Sequence, residues 1–289
     1  MRKYIIAFAI CSLLVVGGCN PLNTIALPVD EQILWGVSPA GNISEPTPEL
    51  VVVTFPDANL EVSIREATGK GEGDIHTVDL EELRELNAID GSITDLSGIE
   101  YCKNLEVVKL SLNPDIKDLS PLSELYGREI TPVDEDGTVL ASYTTLRIKL
   151  IGCQLEDISD LVNLTAPDEL YLHLGDNVIS DLSPLAGLTN LIGLYLRCNE
   201  IDDLSPLTGL VSLNNLELWG NRITDVSPLS ALTRLTWLEL EQNLIVDVSP
   251  LASLINLAVL NIRHNSITDI SPLASLSESV VILTEGNPL

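Results

Sequence analysis

The sequence predicts an α/β repeat solenoid, and three observations predict it. The tetrapeptide Leu/Val/Ile-Ser-Pro-Leu occurs six times between Leu119 and Leu273. It lies in a longer unit that returns every 22 residues, with units opening at Leu83, Leu105, Thr145, Glu169, Leu191, Leu213, Leu235, Leu257 and Ser279; self-similarity at such a period marks a stacked-repeat architecture. Within a full unit, positions 1, 4, 6, 11, 14, 17 and 20 are apolar, as in Leu191, Leu194, Leu196, Ile201, Leu204, Leu207 and Leu210. Alternation at positions 4 and 6 predicts a short strand with those side chains inward, and the remainder turns the chain back. About seven aliphatic groups per unit contribute ~1.5–3 kcal/mol each, whereas ordering the backbone costs ~1–2 kcal/mol per residue. One unit cannot stand alone, so units must stack.

The chain opens with basic Arg2-Lys3, an apolar run from Tyr4 to Val16, and then Gly17-Gly18-Cys19. Such a run is too short to span a bilayer and reads as an export signal. Val16-Gly17-Gly18-Cys19 resembles a bacterial lipobox, which implies a lipoprotein signal peptide over residues 1–18 and lipidation of Cys19. Two or three acyl chains would hold the protein on a membrane, where one would anchor it only reversibly. Residues 19–50 carry Pro21, Pro28, Pro39, Pro46 and Pro48 without periodicity and read as a tether.

Residues 51–82 are expected to form a helical N-terminal cap, since a solenoid needs its end covered. Pro56-Asp57 opens an amphipathic segment in which Leu60, Ile64 and Ala67 recur at helical spacing and which ends before Gly69. A second short helix is expected from Val78 to about Glu82. The repeat domain occupies residues 83–289. The 40-residue spacing from Leu105 to Thr145 predicts an insertion at about 126–144.

Two polar columns run through the repeats. Position 9 is asparagine at Asn113, Asn177, Asn199, Asn221, Asn243, Asn265 and Asn287, where an amide can bond the backbone of its own and the next coil. Position 13 is aspartate in seven units, an acceptor that suits the turn into the convex side, and the Ser-Pro that follows, as at Ser205-Pro206, fits a helical N-cap with proline at the first helical position. The aspartates account for part of the formal charge of −27 without any ligand. That acidity, with no basic face, excludes nucleic acid as a partner.

The unit resembles the 22-residue leucine-rich repeat of bacterial internalins, and Phe55-Pro56-Asp57-Ala58-Asn59-Leu60 resembles the start of their helical cap. The resemblance covers about residues 55–289. It implies a right-handed curved solenoid with a parallel concave β-sheet, short 3₁₀ turns on the convex side, and recognition of proteins by the concave face. The sequence departs from that family in lacking a Leu-Pro-x-Thr-Gly sorting signal and an immunoglobulin-like cap after the repeats, and in carrying the insertion.

Side chains at positions 3, 5 and 7 point out of the sheet because strands alternate. From Glu169 onward these columns bring together Tyr171, His173, Tyr195, Arg197, Glu217, Trp219, Trp237, Glu239, Glu241 and Arg263, with Asn215 and Asn261. With strands ~4.8 Å apart, the patch would be about 20 Å across, and Trp, Tyr and Arg are the residue types of interface hot spots. These ten residues are the candidate ligand-binding site, with a protein as the expected ligand. Rings that merely shield neighbouring apolar stems are the plainer alternative.

Glu217 and Glu239 share a column, as glycosidase carboxylates would be paired, but an open sheet cannot exclude water from a reaction. His76, His173 and His264 show no metal-ligand spacing. The expectation is therefore no enzyme, no cofactor and no metal. Asp134-Glu135-Asp136-Gly137 lacks the alternating ligand pattern of a calcium loop. Three cysteines, Cys102, Cys153 and Cys198, remain after the signal; the first two fall at interior positions as small hydrophobes, and Cys198 at the edge of the face. Two other functions stay open: self-association through the C-terminal end of the stack, and carbohydrate binding by stacking on the tryptophans.

Overall fold

A computed structural model describes residues 51–125, 144–165 and 167–289. The signal, Cys19, the tether, the acidic Asp134–Gly137 turn and almost all of the insertion lie outside the described residues.

The cap begins with a two-stranded antiparallel sheet, β1 (Val52–Val53) with β2 (Ile75–His76), which the sequence analysis did not anticipate. Between them runs helix α1 (Ala58–Thr68). Asp57 caps it, its Oδ1 accepting from the backbone N–H of Asn59 (2.9 Å) and Leu60 (3.1 Å). Gly69, at φ 69°, ends it in the left-handed conformation that favours glycine. Leu60 and Ile64 are fully buried in the core shared with the first repeats. The second helix, α2 (Thr77–Leu80), starts and ends earlier than expected, because the Asp79 carboxylate reaches back to the His76 N–H (2.7 Å) and fixes the start there.

Among the described residues, nine parallel strands then form one sheet in chain order: β3 (Glu85–Asn87), β4 (Val107–Lys109), β5 (Thr145–Lys149), β6 (Glu169–His173), β7 (Leu191–Tyr195), β8 (Asn215–Glu217), β9 (Trp237–Glu239), β10 (Val259–Asn261) and β11 (Val281–Leu283). Leu172, Leu194, Leu216, Leu238 and Leu260 lie in register, strand beside strand, and none is exposed. All seven apolar positions of the Leu191 unit are buried. In the Thr145 and Glu169 units the first inward residue is instead Leu146 or Leu170, one place later. A register shift at Leu170/Tyr171 absorbs the difference against β7.

Each coil but the last, among the described residues, returns by a short turn, 3₁₀ at seven places from Ile99–Tyr101 to Ser271–Ser275. In the Leu105 coil it is a single α-turn, α3 (Ser120–Ser123). The Ser-Pro reading needs correction. The serine does not cap the turn; the aspartate two residues earlier does. Asp203 Oδ1 accepts from Ser205 N–H (2.8 Å) and its Oδ2 from Ser205 Oγ (2.8 Å), and the same pair forms at Asp181, Asp225, Asp247 and Asp269. The Ser205 N–H and hydroxyl hold the Asp203 carboxyl below the usual range.

The asparagines also bond in the opposite direction to that expected. Asn199 Nδ2 donates to Leu196 O in its own coil and to Leu174 O in the preceding coil (both 3.0 Å), while its Oδ1 accepts from Ile179 N–H of the preceding coil (3.0 Å). The cause is the residue before it. Position 8 is left-handed in every unit, at Asp90, Leu112, Gly152, Asp176, Cys198, Gly220, Gln242, His264 and Gly286. That bend ends the strand and swings the amide inward and back, while its own N–H continues the ladder to the next coil, as in Asp176 N–H to Arg197 O (2.8 Å). At Cys153, in the same column, the thiol donates to Leu110 O (3.3 Å) in place of an amide.

Candidate functional site

The ten candidate residues share the outward face of β6 to β10 and the residues just after those strands, as the alternation requires. The structure sorts them into two groups with Arg197 between.

The first group is aromatic. The His173 and Tyr195 rings stack with centroids 4.1 Å apart and planes 3° from parallel. Arg147, on β5, lies over Tyr171 with its guanidinium carbon 4.6 Å from the ring centre, a cation–π geometry. Between the rings the sheet carries Gly193, where a Cβ would lie 2.6 Å from Tyr171 Cδ1 and 3.0 Å from Tyr195 Cε2; its absence lets both rings lie across the sheet. Burial, reinforced by the charges of Lys149 and Arg147, lowers the His173 pKa to about 4, so the ring is neutral at physiological pH.

Arg197 is engaged rather than free. Its Nη2 and Nε donate to Asp176 Oδ2 at 2.9 and 3.1 Å, and Gly175 leaves room for its stem, since a Cβ there would lie 2.8 Å from Arg197 Cγ. Cys198 follows at the rim, half-buried, its thiol pKa raised by burial and by Asp176.

The second group is acidic and aromatic. Glu217, Trp219, Trp237, Glu239, Glu241 and Arg263 line an open concavity of about 340 Å³. Asn261, 3% exposed, forms part of its lining. Its Nδ2 donates to Glu239 Oε2 (2.6 Å) and Glu241 Oε2 (2.8 Å), and its Oδ1 accepts from Arg263 Nε (3.2 Å). Arg263 sits 3.6 Å from Glu241 and 3.7 Å from Glu285. Trp237 is 45% exposed. Trp219 Nε1 is enclosed and has no hydrogen-bond acceptor among the described residues. Burial raises the pKa of both Glu217 and Glu239. Arg197 opposes the shift at Glu217, and the Asn261 amide opposes it at Glu239.

Reading the columns only from Glu169 onward missed Lys109, Arg147 and Lys149. Lys109 pairs in register with Lys149, Lys149 with His173, and Arg147 with Tyr171. The signal lies at positions 3 and 5 of the two preceding units. Contrary to the expectation of no basic face, the concave surface is basic before the aromatic pair, at Lys109, Arg147 and Lys149, and acidic after it.

The leucine-rich repeat model, which describes two copies of the repeat, matches residues 169–209, 189–231 and 233–275. Internalin C2 of Listeria monocytogenes has 34% sequence identity, with the comparison covering 80% of this chain and 94% of that one at a TM-score of 0.67. The chain belongs to the internalin family. A second internalin of Listeria monocytogenes is 29% identical, covering 81% of this chain and 83% of its own, with a TM-score of 0.45. A leucine-rich repeat protein of Leptospira interrogans shares the fold at 20% identity and a TM-score of 0.54, over 73% of this chain and 57% of that one. No curated protein sequence matches this internalin-family chain. Among the described residues, no helix is long and apolar enough to cross a membrane.

Proposed function

We propose that this internalin-family chain is a non-enzymatic recognition protein of the cell surface, held by lipid on Cys19, which binds a protein ligand through the concave face of its repeats. The observation that carries the reading is the concentration of rings on or just after four adjacent strands: Tyr171, His173 and Tyr195 in one group, Trp219 and Trp237 in the other. Rigid aromatic side chains on a pre-ordered sheet bury area at small entropic cost. The anchor rests on Arg2-Lys3, the apolar run and Gly17-Gly18-Cys19.

The test compares the full chain with the Trp219→Ala/Trp237→Ala double variant, each immobilised and exposed to a mixture of extracellular proteins. The wild type should retain a protein that the double variant releases. Loss of one hot spot costs at least ~2 kcal/mol, about 30-fold in affinity. Circular dichroism should be unchanged, because neither indole belongs to the buried core. Equal retention by both forms would overturn the reading. Retention of glycans alone would assign the face to carbohydrate.

A further inference from the structure

We propose that the concavity between Trp219 and Trp237 seats a basic side chain of the bound partner, a guanidinium or ammonium group. The proposal deepens the reading of this face as a protein-binding surface and rests on it.

The geometry follows from the repeat. Trp219 stands at position 7 of its unit and Trp237 at position 3 of the next, so the indoles lie diagonally across the face. Glu217 and Glu239, in register at position 5, fall between them. A seat walled by two indoles and based on carboxylates favours a cation twice over, through the ring faces and through charge.

The charges within the concavity do not balance. Glu217, Glu239 and Glu241 face one guanidinium, that of Arg263, which is already divided between Glu241 and Glu285. Glu217 has no ion pair among the described residues, its nearest cationic influence being Arg197, which is committed to Asp176. Buried Asn261 fixes one oxygen each of Glu239 and Glu241, so these acceptors are held in place before a ligand arrives.

One further observation favours a cation here. Partial burial makes ionised Glu217 and Glu239 costly in the free protein, and an arriving cation offsets that cost. Among the described residues, no three of His, Cys, Asp and Glu are arranged to hold a metal ion, so an extended organic cation fits the acidic lining better than a point ion.

The test titrates the full chain with N-acetyl-arginine amide at constant ionic strength and follows the tryptophan indole N–H resonances by NMR. The Trp219 and Trp237 signals should shift saturably. The neutral isostere N-acetyl-citrulline amide should leave them in place. Glu217→Gln with Glu239→Gln should weaken the response at least ~10-fold, whereas Asp202→Asn, exposed and off this face, should not alter it. The response should fade on acidification from above the ordinary glutamate range, since both glutamates take up protons early. Equal shifts with the citrulline amide, or no loss in the double glutamine variant, would overturn the proposal. If the arginine amide fails while Trp219→Ala/Trp237→Ala still releases a protein partner, the seat falls and the binding face stands. If the amide binds while that variant keeps its partner, the seat is real and the face reading falls.

Discussion

Replacing Asn221 with alanine is expected to destabilise the stack by about 4 kcal/mol although it removes little apolar surface. The Asn221 Nδ2 donates to Leu218 O in its own coil and Leu196 O in the coil before (both 3.0 Å), and its Oδ1 accepts from Ile201 N–H (3.1 Å). Truncation strands two carbonyls and one N–H in a region where the side chain is 8% exposed. Each buried orphan costs ~1–3 kcal/mol, and partial relaxation or water entry reduces the sum. Because each coil leans chiefly on its neighbours, the loss should also divide the transition in two. Urea unfolding followed by circular dichroism should show a lower midpoint and a shallower slope than the wild type. Asn221→Asp should do no better, since a carboxylate keeps the acceptor but loses both donors.

Asp57→Ala is expected to cost about 3–4 kcal/mol and to release the cap from the repeats. One carboxylate serves two elements. Its Oδ1 caps α1, and its Oδ2 accepts from Thr94 N–H (2.7 Å), Thr94 Oγ1 (3.0 Å) and Asp95 N–H (3.3 Å). Losing an N-cap costs ~1 kcal/mol, and the Thr94 and Asp95 donors then lose their partner. Asparagine cannot substitute, because five donors converge on two oxygens and an amide offers one. Burial alone would raise the Asp57 pKa, but the donors from Thr94, Leu60 and Asp95 outweigh it and hold the carboxyl below the usual range. A depressed pKa stabilises the fold above the unfolded value near 3.8 and ceases to do so as pH falls through the folded value. Wild-type stability should therefore drop below about pH 4, and the part of that drop due to Asp57 should be absent from the alanine variant. Hydrogen exchange at α1 and β1 against pH measures both effects.

The solenoid, its inward leucines and its helical cap were legible because burial imposes periodicity, and a 22-residue period leaves few alternatives. What the sequence concealed was direction and conformation. Nothing in an asparagine column tells whether the amide reaches forward or back; the left-handed residue at position 8 decides it. That column did hold a clue, since three of its nine members are Gly152, Gly220 and Gly286, but Leu112 and His264 in the same conformation hid it. The Ser-Pro reading erred because serine and aspartate both favour turn entry, and only geometry shows which one accepts. At the face, alternation told which side of the sheet the ten candidate residues occupy. It could not show that Arg197 is bound to Asp176, nor that Asn261 anchors two glutamates, because those bonds run between coils.

The column that Cys153 shares with the asparagines has a consequence of its own. A thiol offers one weak donor and lacks the carbonyl oxygen of an amide, so Ile116 N–H must fall back on Asn113 O in its own coil at 3.4 Å. The seam between the Leu105 and Thr145 coils thus lacks the amide stitch that its neighbours carry. Burial raises the Cys153 pKa and keeps the sulfur protonated while the seam is shut. Nature has in effect left a chemical gauge there: an alkylating reagent meets that sulfur only when the two coils part, and its rate of uptake clocks how often the stack breathes.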